Sequence, residues 1–341
     1  MTPVRFNEIT DRYAHLRVAV LGDFCLDRYL EIDPGRTETS IETGRPVHNV
    51  SHVRFQPGGA GTILNNLSAI GIGEIIPIGF CGRDAEGHEL HDALARHHGA
   101  NLNHFLCTPE RRTFTYCKPL LMHAGEAPEE LNRLDFKNWT PTPSNVIHTL
   151  IDSLATVLPK VDAVMLLDQV DEPETGVINA TVLQAVGELA AEYPQVFFLG
   201  DSRRGFADWP HIAYKMNGME FSRFEGLDNA PTPDRVLTSL GKHAQRLRQP
   251  QFVTLAADGI VSANKDGEPH HEPALPTEGK IDIVGAGDAV SANLAGAMAA
   301  GANPAEAATI ANHAASVVIH KLGTTGTATV EEIHNKFDQP A

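Results

Sequence analysis

The chain has 341 residues, of which 42% are hydrophobic and 21% charged, and its formal net charge at pH 7 is -16. This composition is typical of a globular protein and excludes a largely disordered one. So acidic a surface repels phosphodiester backbones, so we expect no nucleic-acid partner. Residues 1–16 have no apolar signal core, and no run approaches the roughly 18 apolar residues of a membrane helix. We therefore expect a soluble, cytoplasmic protein without a membrane partner.

Short apolar runs alternate with helical patterns along most of the chain. The first predicted strand covers residues 16–23, and a helix led by glycines follows over residues 58–70. The remaining predicted elements are strand 75–80, helix 86–98, helix 145–158, strand 163–167, helix 177–193, strands 196–199 and 212–216, helix 234–248, strands 252–256 and 260–263, and helices 287–300 and 304–321. The alternation predicts an α/β fold with a central, mostly parallel sheet and helices on both faces. Ligands in such sheets bind beyond the carboxyl ends of the strands.

Two segments interrupt this alternation. Residues 28–55 are polar without a helical period, and residues 111–136 contain short β-rich pieces. Together they are predicted to form a small β-sheet lid over a cleft, because lids exclude water during group transfer. Two ordinary surface excursions are the alternative. We expect one α/β domain over residues 1–335, followed by a C-terminal tail at 336–341.

The strongest chemical motif is DIVGAGD at residues 282–288, which opens a predicted helix. The small residues before Asp288 let a ligand approach the backbone, and amide groups at a helix N-terminus attract anions. A carboxylate in the same turn can accept a proton from an attacking hydroxyl group. The motif indicates a site for phosphoryl transfer, while a glycine-rich turn capped by Asp288 is the alternative.

Three weaker motifs lie at predicted strand ends or helix starts. QPGGAG at residues 56–61 would let sugar hydroxyls meet the backbone, and GDFCLD at residues 22–27 offers carboxylates that accept hydrogen bonds. NGME at residues 217–220 offers an acidic side chain that can hold Mg²⁺ through water. Each of these motifs can instead be an ordinary turn or cap. The sequence has no P-loop and no GxGxxG in a first βα turn, which counts against P-loop ATPases and dinucleotide dehydrogenases.

In chain order, the motifs GDxxxD, GGAG, NxxE and DxxGAGD resemble the pfkB carbohydrate kinase family over residues 18–330. LDRY at residues 26–29, Glu42 with the PV pair that follows, RLDF at residues 133–136 and KLGT at residues 321–324 are similar to the heptose-7-phosphate kinase branch. The resemblance implies a ribokinase-like fold. It also implies transfer of the γ-phosphate of ATP to a hydroxyl of a sugar or sugar phosphate, with Mg²⁺ and a monovalent cation such as K⁺.

Members of this branch are often fused to a nucleotidylyltransferase, and at 341 residues we expect no such second domain here. The family resemblance also implies a homodimer formed through the β-sheet lid.

The resemblance assigns a role to each motif residue. Asp288 is the expected catalytic base, and the amide groups of Gly285, Ala286 and Gly287 are the expected anion hole. The expected substrate contacts are Asp23, Asp27, Gly58, Gly59 and Arg133. The expected nucleotide contacts are Asn217, Glu220, Arg203, Thr254, Gly259 and Asn312, with Glu220 holding Mg²⁺ through water and Asp282 a monovalent cation.

The chain departs from the family pattern at four places. Thr62 stands where the relatives have Asn, Ala256 where they have Gly, and Val284 where they have Thr. A D-Y-x-K-G element of the heptose branch is represented only by residues 168–170, without its lysine. These departures keep open a degenerate kinase that binds a sugar or nucleotide without catalysis. A nucleoside kinase of the same fold is a further alternative.

Overall fold

The computed structural model describes residues 1–229, 231–323 and 325–337. Its strands are β1 (Arg17–Gly22), β2 (Phe24–Ile32), β3 (Glu38–Thr39), β4 (Pro46–Val47), β5 (Val50–Gly59), β6 (Glu74–Gly82), β7 (Phe105–Thr108), β8 (Phe114–Leu121), β9 (Glu129–Glu130), β10 (Leu134–Phe136), β11 (Ala163–Asp168), β12 (Phe197–Ser202), β13 (Ala213–Asn217), β14 (Gln251–Thr254), β15 (Ile260–Ala263) and β16 (Pro269–Glu272). Its helices are α1 (Pro3–Thr10), α2 (Ala60–Ala69), α3 (Ala85–Ala95), α4 (Ser144–Val157), α5 (Ala180–Glu192), α6 (Gly218–Glu225), α7 (Pro233–Leu247), α8 (Ala286–Ala299), α9 (Pro304–Val318) and α10 (Val330–Phe337).

The main sheet has nine strands in the order β16-β15-β14-β13-β12-β11-β1-β6-β7. All pairs from β14 to β7 are parallel, and β15 and β16 add an antiparallel edge. The predicted α/β fold with a mostly parallel sheet is confirmed.

Each face of this sheet is covered by helices. One core includes Leu64 of α2, Leu294 of α8 and Ile310 of α9, and the other includes Leu150 of α4 and Leu240 of α7. Burial on both faces explains why the central strands are continuous apolar runs in the sequence.

The connections place a crevice at the carboxyl end of β1. From β1 the chain proceeds to β6 on one side, whereas β11 lies on the other side. Such a reversal of strand order leaves a gap between the loops at the carboxyl edge, where ligands bind in open α/β sheets. The motif residues after β1, β11, β12, β13 and β14 therefore share this edge.

The second sheet has the order β10-β8-β2-β5, with β9 paired to β8. β2 pairs antiparallel with β5 and parallel with β8. The two interrupting segments thus pair in a small sheet as predicted, although β2 begins earlier, at Phe24. Asp27 and Gly58 consequently belong to this small sheet, which we call the lid sheet.

The start of one helix differs from the prediction because of a side-chain cap, and another helix was not predicted. α5 begins at Ala180 rather than residue 177, since Asn179 Oδ1 accepts a hydrogen bond from the Val182 amide at 3.0 Å. The short helix α6 was not predicted. The domain boundary at 335 stays a prediction, and residues 338–341 of the predicted tail lie outside the described residues. In the described part of the chain, no helix is both long and apolar enough to cross a membrane.

Candidate active site

The loop at residues 282–287 enters helix α8 through a left-handed glycine. Gly285 is the N-cap residue, with a φ of 81° that favours glycine. Within the described residues, the amide groups of Gly285 and Gly287 donate to no protein acceptor, as is usual for a first helical turn. Ala286 differs from the prediction, because its amide donates to the Ile283 carbonyl at 3.2 Å. The expected anion hole is thus reduced to the amides of the two glycines.

Asp288 lies half-buried in the first turn of α8. Burial is the largest cause that raises the pKa of its carboxyl group to about 7, and the charge of Asp201 adds to the rise. The charges of Lys215 and Arg203 act in the opposite direction. A carboxyl group with this pKa is partly deprotonated at neutral pH and basic enough to accept a proton from a hydroxyl group.

A buried lysine outside all four motifs lies beneath this turn. Lys215 on β13 is 5% exposed, and its Nζ lies 2.9 Å from Oδ2 of Asp201 on β12. Ser291 on α8 donates to the same oxygen at 2.7 Å. A Cβ atom added to Gly287 would lie 3.4 Å from Lys215 Nζ, so the ammonium group is next to the start of α8. The sequence did contain one signal for this residue. Lys215 lies inside a strand that was predicted to be buried, and a buried ammonium group needs an anionic partner.

Asp27 and the two predicted glycines meet in the lid sheet. A Cβ atom on Gly58 would lie 2.9 Å from Asp27 Oδ2, and one on Gly59, whose φ is 58°, would lie 2.5 Å from the Asp23 carbonyl oxygen. Lys118 Nζ lies 3.3 Å from Asp27 Oδ1. The pair offers a hydrogen-bond acceptor and a donor side by side, which suits the hydroxyl groups of a sugar.

Asp23 holds backbone instead of facing the cleft. Its Oδ2 accepts hydrogen bonds from the amides of Gln169 at 2.9 Å and Val170 at 3.2 Å, and its Oδ1 accepts one from Val177 at 2.6 Å. Burial, followed by the charge of Asp168, raises the pKa of Asp23 to about 6. The expected sugar contact is therefore better described as an anchor for residues 169–177, because both carboxylate oxygens are engaged inside the protein.

Arg203 follows β12 and is exposed. Its charge opposes the rise in pKa of both Asp288 and Tyr116, so the guanidinium group is within electrostatic reach of α8 and of the lid strand β8. With its amide oxygen turned toward Arg203, Gln169 accepts hydrogen bonds from Nη2 at 2.9 Å and from Nε at 3.2 Å. Arg203 forms no ion pair with a described carboxylate, which leaves its charge for an anionic ligand.

Asn217 and Glu220 form a capping box at the start of α6. Asn217 Oδ1 accepts from the Glu220 amide at 2.9 Å, and Glu220 Oε2 accepts from the Asn217 amide at 2.7 Å. Burial, only partly offset by the charge of Lys215, raises the pKa of Glu220. Its Oε1 accepts no hydrogen bond from the described residues, and the water-mediated contact with Mg²⁺ stays a prediction. The described residues contain no cluster of three or more His, Cys, Asp or Glu side chains that could hold a metal ion.

The predicted nucleotide residues are only partly brought together. Thr254 is the register partner of Asn217, so these two side chains share the carboxyl edge of the sheet. Gly259, with a φ of 88°, lies where a Cβ atom would be 2.1 Å from the Glu272 carbonyl oxygen. Ala256, at a position where the family pattern has glycine, has a φ of 50°, in the left-handed region that favours glycine.

Asn312 and Asp282 each form a hydrogen bond that joins two distant segments of the chain. Asn312 lies on α9, and Asp282 is bonded to the turn after α9. Asn312 Nδ2 donates to the Pro273 carbonyl at 2.7 Å. Asp282 accepts hydrogen bonds from the amides of Val284 and Gly323, each at 3.1 Å. Each Asp282 carboxylate oxygen therefore accepts one hydrogen bond from protein. A monovalent cation at Asp282 stays a prediction, and Thr324 of the same turn lies outside the described residues.

Arg133 lies at the exposed edge of the lid sheet. It forms two hydrogen bonds to Asp135, at 2.5 Å and 3.2 Å, and its guanidinium carbon lies 5.1 Å from the centre of the Tyr116 ring. Arg133 thus has a carboxylate partner at an exposed edge, whereas Arg203 forms no ion pair with a described carboxylate.

Comparison with known proteins gives this geometry a family context. Residues 209–331 match the model of the pfkB family carbohydrate kinases. A curated relative named Bifunctional protein HldE from Hyphomonas neptunium is 30% identical over 331 residues, which cover 96% of this chain and 65% of the relative. The protein of the same name from Rhodopseudomonas palustris is 28% identical over 335 residues, covering 98% and 66%. The chain thus spans less than two thirds of each relative's length.

Solved structures share the fold over nearly the whole chain. Arabidopsis thaliana ribokinase complexed with ribose and ATP has a TM-score of 0.68 and 19% identity, covering 95% of this chain and 99% of that chain. Escherichia coli phosphofructokinase-2 in complex with substrates and products has a TM-score of 0.69 and 15% identity, covering 95% and 100%. The chain therefore has a ribokinase-like fold, and its residues 209–331 match the pfkB family of carbohydrate kinases, whose members are phosphotransferases with an alcohol group as acceptor.

Proposed function

We propose that the chain transfers the γ-phosphate of ATP to a hydroxyl group of a sugar phosphate, with heptose 7-phosphate as the first candidate acceptor. The observation that supports phosphoryl transfer is the start of α8. There Asp288, with a pKa of about 7, lies beside the open amides of Gly285 and Gly287. A base and anion-binding groups thus occur within one helical turn.

The reaction follows from this arrangement. Asp288 removes the proton of the acceptor hydroxyl as its oxygen attacks the γ-phosphorus, and the bond from phosphorus to the bridging oxygen of ADP breaks. The open amides and the positive end of α8 stabilise the charge that develops on the phosphoryl oxygens. Such positioning and electrostatic stabilisation account for most of the catalysis in phosphoryl transfer.

Glu220 is the residue proposed to face Mg²⁺, through the carboxylate oxygen that the capping box leaves unused. When bound with ATP, the ion would neutralise phosphate charge. The chain's own part is to keep Glu220 in place, which the reciprocal hydrogen bonds with Asn217 achieve.

Two features favour an acceptor that already bears a phosphate. Lys118 lies beside Asp27 in the proposed sugar pocket, and Arg203 has no carboxylate partner among the described residues. Gln169 accepts hydrogen bonds from the Arg203 guanidinium group. Gln169 belongs to the segment in which the heptose branch has its lysine-containing element. Arg203 can thus supply the cation that this element lacks here.

The experiment that tests the function is an ADP-release assay with a panel of acceptors. The panel contains free sugars, sugar phosphates including heptose 7-phosphate, and nucleosides, with Asp288→Asn as the blank for uncoupled ATP hydrolysis. We expect release above this blank with one or more sugar phosphates. Release only with nucleosides would replace the proposal with a nucleoside kinase. ATP binding without release for any acceptor would favour a non-catalytic binding protein.

The homodimer implied by the family resemblance also remains a proposal. The lid sheet exposes Val53, Leu134 and Phe136, apolar side chains that a second copy could cover. We expect a dimer by sedimentation at micromolar concentration and a shift to monomer in Leu134→Asp. Monomer alone in the unchanged chain would contradict this proposal.

A further inference from the structure

We propose that Lys215 is a catalytic residue that binds an oxygen of the transferring phosphoryl group from beneath Gly287. The inference rests on the kinase function proposed above and adds a residue that belongs to none of the sequence motifs.

The first argument is the way in which the ammonium group is held. Burial of a charged amine is unfavourable unless anions compensate it, and Asp201 does so at 2.9 Å. Ser291 fixes the same Asp201 oxygen from α8, so the lysine is anchored from two elements. An ammonium group has three N–H donors. Asp201 accepts from Lys215, and within the described residues no second acceptor does, which leaves donors for a ligand.

The second argument concerns Gly287, the surface residue next to the Lys215 ammonium group. Gly287 is exposed and has no left-handed φ, so its backbone conformation does not require glycine. A Cβ atom there would lie 3.4 Å from Lys215 Nζ and would cover the ammonium group. The absence of a side chain at Gly287 therefore leaves the position next to the buried ammonium group unfilled, at the exposed N-terminal end of α8. A lysine that only neutralised Asp201 would not need this position to be free.

The third argument is charge. Asp201, Glu220 and Asp288 all act on Lys215, and of these only Asp201 is bonded to it. During the reaction the acceptor oxygen bonds to phosphorus, the bond to ADP breaks, and the acceptor proton moves to Asp288. Lys215 keeps its own proton and offsets the charge that develops on the non-bridging oxygens.

The test is Lys215→Met, which removes the charge and conserves most of the volume. We expect the rate of ADP release at saturating substrates to fall at least about 100-fold, as for the loss of one oxyanion donor. The KM for ATP should change much less. Lys160→Met is the matched control, because exposed Lys160 precedes β11 at the opposite edge of the sheet and should keep full turnover.

A pH arm separates direct binding from an effect on the base. Lys215 also opposes the raised pKa of Asp288, so its removal would raise that pKa further. If this were its whole role, the pH profile of Lys215→Met would shift to higher pH and level off at the wild-type turnover. Such a plateau would overturn the inference, whereas a plateau that stays lower supports it.

Two further measurements cover the case in which the single variant does not fold. Lys215→Met with Asp201→Asn removes both members of the buried pair. Asp201→Asn alone keeps the lysine, on which the charges of Glu220 and Asp288 still act. We expect the double variant to be far less active than Asp201→Asn, and equal activity would contradict the inference. ADP with aluminium fluoride mimics the phosphoryl group during its transfer. This complex should inhibit the double variant at least about tenfold more weakly than it inhibits Asp201→Asn.

The failure of this inference can be told from the failure of the proposed function. An unchanged chain that releases no ADP with any acceptor would remove the kinase function itself. An active unchanged chain whose Lys215 variants are equally active would remove only the role of Lys215.

Discussion

Asp27 and Gly58 lie against each other in the lid sheet, so closely that a Cβ atom on Gly58 would lie 2.9 Å from Asp27 Oδ2. The same atom would lie 2.9 Å from the sulfur of Cys25, so neither side offers room. The glycine at this position is thus explained by the carboxylate next to it. It keeps Asp27 beside Lys118, in the pocket proposed for the acceptor.

Gly58→Ala should therefore displace the Asp27 carboxylate. We expect the KM for the acceptor to rise at least about tenfold, because small displacements of substrate-positioning groups are costly. The KM for ATP should stay within about twofold. Steady-state ADP release with each substrate varied in turn provides the measurement. Gly35→Ala, in an exposed turn, is the control. An unchanged KM for the acceptor would remove Asp27 from the sugar pocket.

Asp23→Asn should lower stability, because the amide NH₂ group cannot accept the hydrogen bonds that the carboxylate accepts from residues 169–177. At least one buried backbone amide would lose its partner, at a cost of about 1–3 kcal/mol in the free energy of unfolding. Urea unfolding at pH 4 measures this change, because Asp23, with a pKa of about 6, is neutral in the folded state there and its replacement removes no buried charge. Asp171→Asn, at an exposed ion pair with Lys137, should change stability by less than about 0.5 kcal/mol. Unchanged stability with weakened acceptor binding would return Asp23 to the sugar site.

Arg203→Gln tests which substrate's phosphate this cation meets. If Arg203 contacts the acceptor, kcat/KM for the sugar phosphate should fall by about 10- to 100-fold, since one charge-assisted contact is worth about 1.5–3 kcal/mol. The KM for ATP should change little, and Gln169→Leu should give a smaller loss in the same direction. Exposed Arg235 on α7 supplies the control, Arg235→Gln. A raised KM for ATP with unchanged acceptor kinetics would assign Arg203 to the nucleotide, as the family resemblance implies.

The pH dependence of turnover should follow Asp288. Its pKa is raised to about 7, and only the deprotonated form accepts the acceptor's proton. We expect kcat/KM to fall about tenfold per pH unit below pH 7 and to level off above it. An acid limb centred near pH 4, the range of an ordinary carboxyl group, would contradict the assignment of this pKa to the base.

The free energy of unfolding should also depend on pH through Asp288, in a direction that follows from its raised pKa. The pKa of Asp288 is about 7 in the folded state and about 3.9 in the unfolded state, so the folded state binds more protons between these values. The contribution of Asp288 to stability is therefore present at low pH and is lost as pH rises toward 7. Asp288→Asn should gain stability relative to the unchanged chain between pH 5 and pH 8. A constant difference in urea unfolding across this range would contradict the raised pKa.

The parts that the sequence predicted are those with local signals. The strand of residues 16–23 was predicted from a continuous apolar run. The small β-sheet was predicted from two segments that lack a helical period. Asp288 was found because a glycine-rich turn and a carboxylate are adjacent in sequence. Helix α6 was missed although Asn217 and Glu220 have the spacing of a capping box, because the same residues were interpreted only as ligands.

The remaining features depend on contacts between distant segments. Lys215 meets Asp201 and Ser291 only after β12, β13 and α8 have packed, so no motif contains it. Asp23 matched the family pattern, but its role as an anchor depends on amides more than 140 residues away. The partners of Arg203 and Lys118 were likewise out of reach, since a single sequence does not say which charges become neighbours.

The decisive measurement compares Asp288→Asn with the unchanged chain in ATP binding and in ADP release with the best acceptor of the panel. We expect ATP affinity to be kept, because the open amides of Gly285 and Gly287 are unaltered. The rate of ADP release should fall by about 10²–10⁴, the usual loss for a general base. Turnover equal to that of the unchanged chain would contradict phosphoryl transfer with Asp288 as the base.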